Sequence, residues 1–133
     1  FLSDLSRHLT IPHVVDFMAV SSYGHSNKRM GNVRIIMDAR ENQEDRDVLI
    51  VEDILDSGRT LSYLSNYLKG RGAKSIRIAT FLDKPERRTT NIKADYSCFN
   101  VPNEFVVGYG LDFDQIYRNL PYVGVLKPHI YNK

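Results

Sequence analysis

Val48 to Thr60 reads VLIVEDILDSGRT, and the order of residue types in it decides the fold. Val48, Leu49, Ile50 and Val51 run without a polar break. A continuous apolar run of this kind fits a strand covered on both faces, as in a parallel sheet. Two acids, Glu52 and Asp53, end the run, and Asp56 follows within one turn. Ser57, Gly58, Arg59 and Thr60 then open a stretch in which Leu61, Leu64 and Leu68 recur at helical spacing, with Gly70 or Gly72 to end it. In open α/β sheets, ligands bind beyond the carboxyl ends of strands. A small-residue turn into a helix N-terminus offers free backbone N–H groups to a phosphate. The segment therefore predicts one loop that holds three carboxyl groups and an anion cradle. Such a loop suits a ligand bearing both a phosphate and hydroxyls for a metal or a base.

Outward from this centre, Ser75 to Leu82 (SIRIATFL) reads as the next strand and completes a parallel strand-helix-strand unit. Upstream, Leu2, Leu5 and Leu9 mark an amphipathic helix ending near His8 to Thr10, because Pro12 disfavours its continuation. His13 to Val20 (HVVDFMAV) and Val33 to Met37 (VRIIM) read as strands, Ser21 to Gly31 as a polar loop, and Asp38 to Asp47 as a charged turn. Downstream, Arg87 to Lys93 is a polar connection. Tyr96 to Val101, Phe105 to Tyr109 and Tyr122 to Leu126 are short strands, and Asp114 to Asn119 one helical turn. There is no internal repeat, and the pattern is α/β.

The 133 residues suit one domain, residues 1–133, able to bury roughly two thirds of its unfolded surface. The net charge of +2 comes from interspersed signs, which argues against a nucleic-acid partner. No apolar run approaches the ~18 residues of a membrane span, and a cytoplasmic protein is the simplest reading. Cys98, the single cysteine, lies in an apolar-leaning stretch and reads as a buried packing residue. His8, His13, His25 and His129 have no metal-site spacing. Lys28, Arg29, Arg87 and Arg88 read as solvated surface charges.

The central segment resembles the phosphoribosyl pyrophosphate motif of type I phosphoribosyltransferases. Ser21-Ser22-Tyr23-Gly24, Leu82-Asp83-Lys84-Pro85, Phe105 to Asp112 (FVVGYGLD) and Val123 to Pro128 (VGVLKP) extend the resemblance over nearly the whole chain, in the expected order. Lys84 together with FVVGYGLD narrows it to the 6-oxopurine branch, and the wider chain resembles hypoxanthine-guanine phosphoribosyltransferases, bacterial ones in particular. The resemblance implies a mainly parallel central sheet flanked by helices, with residues 103–133 forming a small hood on the purine side. In that family another strand and a pyrophosphate-contacting loop precede the first helix, and nothing here matches them, so a fragment is expected. If that loop is absent, the chain as given would be inactive. The implied activity moves ribose 5-phosphate from phosphoribosyl pyrophosphate to hypoxanthine or guanine, with Mg²⁺ as cofactor and a homo-oligomer, dimer or tetramer, as the assembly. A non-catalytic regulator of the same fold, sensing phosphoribosyl pyrophosphate or nucleotides, is the competing reading.

Carried over residue by residue, Glu52 and Asp53 would grip the ribose hydroxyls, directly or through Mg²⁺. A plain helix-entry acid pair is the alternative, although two acids directly after an apolar strand exceed what capping needs. Asp56 would be the general base toward the purine N7 proton, against an ordinary turn aspartate. Asp56, Ser57, Gly58, Arg59 and Thr60 would wrap the 5-phosphate, with Arg59 free to point outward. Lys84 would donate to the purine 6-oxo group, which accepts where the 6-amino group of adenine donates. Ile54 and Phe105 would cover the two faces of the base, and Val106 would offer main-chain groups to its edge. Asp112 would meet either the exocyclic position through its backbone or a second Mg²⁺ through its carboxylate. Arg118 would meet pyrophosphate. Ser22 and Tyr23 would start a lid that excludes water.

Overall fold

The computed structural model describes residues 1–22 and 33–131. In chain order it holds α1 (Leu2–His8), β1 (Ala19–Ser22), β2 (Val33–Met37), β3 (Asp47–Leu55), α2 (Arg59–Gly70), β4 (Ser75–Asp83), β5 (Tyr96–Asn100), β6 (Val106–Val107), β7 (Gly124–Val125) and α3 (Pro128–Tyr131). A 3-10 turn, Pro85–Arg87, interrupts the connection from β4 to β5.

The apolar run does start a parallel strand, but β3 does not stop at the acids. It pairs with β4 from Asp47↔Ser75 through Glu52↔Thr80 to Leu55↔Asp83. The ladder is made by backbone groups, so acidic side chains do not end it while a neighbour supplies partners. Glu52 and Asp53 therefore stand on the strand, and Asp56 alone of the three acids lies in the turn. β5 adds to β4 in parallel, giving a sheet of order β3-β4-β5. β1–β2 and β6–β7 form separate antiparallel pairs.

α2 covers the sheet because Leu61, Leu64, Ser65 and Leu68 fall on one face and are buried. Its end is a Schellman turn: Gly72 N–H donates to Lys69 O at 3.0 Å and Ala73 N–H to Leu68 O at 3.2 Å. Gly72 sits there at φ +84°, where a Cβ is disfavoured. Ile50, Leu55, Leu61, Leu64, Leu68 and Ile78 form the main core, and Leu82, Val106 and Leu111 a second one beneath the C-terminal segment. α1 reaches that segment through a hydrogen bond from the Tyr109 hydroxyl to the Asp4 carboxylate. Phe81 packs between Phe1 and Tyr109, with ring centroids 5.5 and 5.0 Å away.

Several expectations change. Of His13 to Val20, only Ala19 and Val20 join a strand. The Asp16 carboxylate instead accepts from the N–H groups of Phe17, Arg40 and Glu41 at 2.7–2.9 Å, so a side chain takes the place of a strand partner. Asp114 to Asn119 is not a helical turn. Asp114, Gln115 and Tyr117 have φ of 49°, 68° and 76°, which no right-handed helix accepts, and a Phe113–Ile116 bridge closes the turn. Cys98 is exposed rather than buried. It lies on β5, which is an edge strand with all five residues exposed.

Leu64 is 5 % exposed and central to the main core. Leu64→Ala is expected to lower the unfolding free energy by about 2–5 kcal/mol, read as a shifted urea midpoint with an unchanged slope. A shift near zero would contradict the assigned core.

Candidate functional site

β3 brings Glu52, Asp53, Ile54 and Leu55 to the carboxyl end of the parallel sheet, and Asp56 to Gly58 turn the chain into α2. Gly58 has φ +81°, and a Cβ there would lie 2.4 Å from Ile92 Cγ2 and from Thr90 Oγ1. No other residue fits, and the turn leaves the first amides of α2 without intrahelical acceptors. Glu52, Ile54, Leu55, Asp56, Ser57, Gly58, Thr60 and Leu61 line a cavity of about 150 Å³. Arg59 is exposed and faces a different hollow, beside Glu86, Arg87 and Arg88, so it points outward from the cradle.

The acid pair is partly buried. Removal from water, and then the neighbouring Asp53 charge, push the Glu52 carboxyl up to about 7. Burial also raises Asp53, while Arg118 is among the groups that oppose the rise. Among the described residues neither acid has an ion-pair partner within 4.0 Å. Two adjacent hard oxygen donors without a counter-charge suit a divalent cation that keeps water ligands. No group of three or more His, Cys, Asp or Glu side chains capable of holding a metal occurs among the described residues, so the remaining ligands would be water or substrate oxygens. The Asp112 carboxylate is otherwise engaged: Arg118 Nη2 lies 3.0 Å from it, and the Gln115 N–H donates to it at 2.9 Å. Arg118 also donates to Gly110 O at 2.8 Å.

Lys84 lies beside the acidic turn. The Lys84 N–H donates to Leu55 O at 3.0 Å, next to Asp56. The buried Lys84 ammonium has its pKa lowered by desolvation, with the Asp56 charge acting the other way. Lys84 Nζ donates to Glu104 O at 2.5 Å, which brings it beside Phe105. Arg87 Nε donates to Asp56 Oδ1 at 3.1 Å. Phe105 is 37 % exposed, stacks on Tyr131 with centroids 5.2 Å apart, and meets Phe113 edge-on at 5.6 Å. Val106 is buried opposite Val125, and Ile54 packs on the second core while lining the cavity. Ser22 ends β1, and Tyr23 lies outside the described residues.

Arg87 and Arg88 are therefore not idle surface charges. Arg87 pairs with Asp56. The Arg88 side chain is 13 % exposed and ion-paired with Asp83, which is 16 % exposed. Arg88, Thr89, Thr90 and Ile92 all touch the turn at Leu55 to Gly58. Their partners are mostly main-chain carbonyls, for which a sequence carries no residue-type signal.

Residues 1–114 match the phosphoribosyl transferase domain family. The hypoxanthine-guanine phosphoribosyltransferase of Streptococcus thermophilus is 55 % identical over all of this chain and 74 % of its own length. A crystal structure of a Staphylococcus aureus hypoxanthine phosphoribosyltransferase superposes with a TM-score of 0.94 at 47 % identity, covering 99 % of this chain and 72 % of that one. A Trypanosoma cruzi hypoxanthine phosphoribosyl transferase, studied for the role of its C-terminal region in oligomeric state and enzymatic activity, gives 0.91 at 43 % identity, covering 98 % and 68 %. With its parallel three-stranded sheet and the helix that follows the acidic strand, this chain belongs to the phosphoribosyltransferase family, in its hypoxanthine-guanine branch.

Proposed function

We propose that this protein is a purine-salvage transferase that moves 5-phosphoribosyl from phosphoribosyl pyrophosphate to hypoxanthine, guanine or both, giving IMP or GMP and pyrophosphate. The observation that supports this reading is the junction of the acidic turn with the Lys84 connection: Lys84 N–H donates to Leu55 O, next to Asp56, and the Asp56 charge acts on the buried Lys84 ammonium. The bond from the ribose C1 to the departing oxygen breaks as positive charge grows on the ring, an oxocarbenium-like state.

Glu52 and Asp53 hold the ribose hydroxyls. Mg²⁺, when bound, would supply charge neutralisation for the pyrophosphate oxygens, and the partly buried acid pair is the place to hold it. The free amides of α2, with Ser57, Gly58 and Thr60, take the 5-phosphate. Arg59 contributes its main-chain N–H rather than its guanidinium. Asp56 accepts the N7 proton, and Arg87 Nε donates to its Oδ1. Lys84 directs an N–H at the 6-oxo group. Ile54 and Phe105 cover the base, and Val106 faces its edge. Arg118 meets pyrophosphate, and it holds Asp112, whose carboxylate is then less available to a second Mg²⁺ than its backbone is to the purine. Ser22 and Tyr23 begin the lid. We assign the whole chain to one domain with residues 103–133 as its purine-side hood. We also propose a homo-oligomer, dimer or tetramer, located in the cytoplasm. No helix among the described residues is long and apolar enough to cross a membrane.

The full-length protein, supplied with Mg²⁺ and phosphoribosyl pyrophosphate, is expected to consume hypoxanthine or guanine and to leave adenine untouched. Absence of turnover with every 6-oxopurine would reject the assignment. Asp56→Asn is expected to slow the chemical step by roughly 10²- to 10⁴-fold while changing the affinity for phosphoribosyl pyrophosphate far less; equal single-turnover rates in mutant and parent would remove Asp56 as the base.

Glu52 gives a pH signature. In the unfolded chain it loses its proton near 4.5, in the folded protein near 7. Between these values the folded state holds the extra proton, so stability falls as pH rises, and above 7 the penalty is fully present. Glu52→Gln removes the penalty. Its stability relative to the parent is expected to grow by roughly 3–4 kcal/mol across that window and to level off above it, measured by urea unfolding without Mg²⁺. A difference that does not change with pH would show that the fold does not hold Glu52 protonated.

A further inference from the structure

We propose that Arg88 is a positioning residue that holds the phosphate-binding turn, and through it the Asp56 carboxylate, in a single geometry. This rests on the transferase reading for its functional consequence, though not for its structural one. The Arg88 guanidinium is nearly buried, and its hydrogen bonds converge on the turn or on its support. Nε donates to Asp56 O at 3.0 Å, Nη2 to Leu55 O at 3.4 Å and to the Asp83 carboxylate, and Nη1 to Ile92 O at 2.7 Å. One planar fork thus joins the end of β3, the end of β4 and the far side of the connection between β4 and β5. The neighbouring residues act on the next carbonyl. Thr89 N–H, Thr89 Oγ1 and Thr90 Oγ1 lie 3.0, 3.2 and 3.4 Å from Ser57 O. Arg88 Cδ, Thr90 and Ile92 also form the surface on which Gly58 rests.

The carbonyls of Leu55, Asp56 and Ser57 are thus tied down in succession, immediately before the amides that open α2. A phosphate cradle needs that arrangement: several amides aimed at one point before the ligand arrives. The direction of the Asp56 side chain depends on the same backbone, and a misplacement of about 1 Å can cost ~10²-fold in rate. Lysine cannot replace the fork. Its ammonium is a compact point charge, whereas the guanidinium reaches divergent acceptors within one plane. Arg88 touches neither substrate in this scheme; it acts through Leu55 and Asp56.

The test compares parent, Arg88→Lys and Arg88→Met in the full-length protein. Amide hydrogen exchange without substrates reads the turn directly, and the amides of Ser62 and Lys84, which donate to Gly58 O and Leu55 O, are expected to exchange at least ~10-fold faster in Arg88→Lys than in the parent. In steady-state kinetics with Mg²⁺, KM for phosphoribosyl pyrophosphate is expected to rise and kcat to fall by ~10-fold or more each, with KM for hypoxanthine within a factor of about three. Added ethylguanidinium is expected to restore part of the lost kcat in Arg88→Met. If Arg88→Met fails to fold, Arg88→Lys alone decides. Unchanged exchange at Ser62 and Lys84 in Arg88→Lys would overturn the proposal, and so would an equal loss for both substrates. A parent that exchanges as expected but turns over no 6-oxopurine would reject the transferase reading and leave the strap standing.

Discussion

The turn from Leu55 to Gly58 is the constraint on which the site depends. A nine-residue strand must leave a parallel sheet and reverse into a helix within three residues, with the helix amides still unpaired. Unpaired amides at a sheet rim are favourable only when the carbonyls of the same peptides are satisfied elsewhere. Those of Leu55, Asp56 and Ser57 are satisfied by the connection that follows β4, through Lys84 N–H, Arg88, Thr89 and Thr90. The left-handed conformation at Gly58 then fits with no side chain to resist it. Polarised donors remain on one side and a closed hydrogen-bond network on the other.

The same rim carries a second tension. Glu52 and Asp53 stand where desolvation raises both carboxyls, and the Asp53 charge raises Glu52 further. A site selected for stability alone would place an arginine between them or exclude one acid. Here the Arg118 guanidinium, whose charge opposes the rise of Asp53, is bound to Asp112 and Gly110. Unpaired, partly buried acids are costly in an apoprotein, and the cost is offset when a cation or a sugar hydroxyl arrives. The instability and the binding capacity have one source.

The sequence was most legible where periodicity governed. The helix from Leu61 to Leu68 and the parallel pairing of its flanking strands follow from apolar spacing, and the acid-rich segment lies at the sheet's carboxyl end as its composition implied. Legibility failed where main-chain groups made the decision. Arg88 reads as one of two exposed arginines because carbonyls more than thirty residues upstream leave no mark in a pattern of side chains. HVVDFMAV has strand composition, yet Asp16 supplies acceptors that compete with a ladder. Asp114 to Tyr117 has helix-compatible residues in a backbone that Asp112 and the Phe113–Ile116 bridge bend into positive φ. Cys98 looked buried because apolar neighbours imply a covered strand, whereas β5 has a partner on one side alone.

Recognition of the base follows from the opposite end of the same connection. Lys84 has three N–H donors. One reaches Glu104 O, which fixes the long side chain against the segment that leads through Phe105 into β6. A fixed donor favours a ligand oxygen and leaves an amino group unpaired, so discrimination comes from an unsatisfied partner in the wrong complex rather than from extra attraction in the right one. Phe105 supplies area and little direction, since its ring already leans on Phe113 and Tyr131. Because Lys84 and Arg88 belong to one short connection, the residue that reads the base and the residue that steadies the phosphate turn are joined by four peptide units, three of them around a 3-10 turn. A shift of that connection would move both halves of the site together.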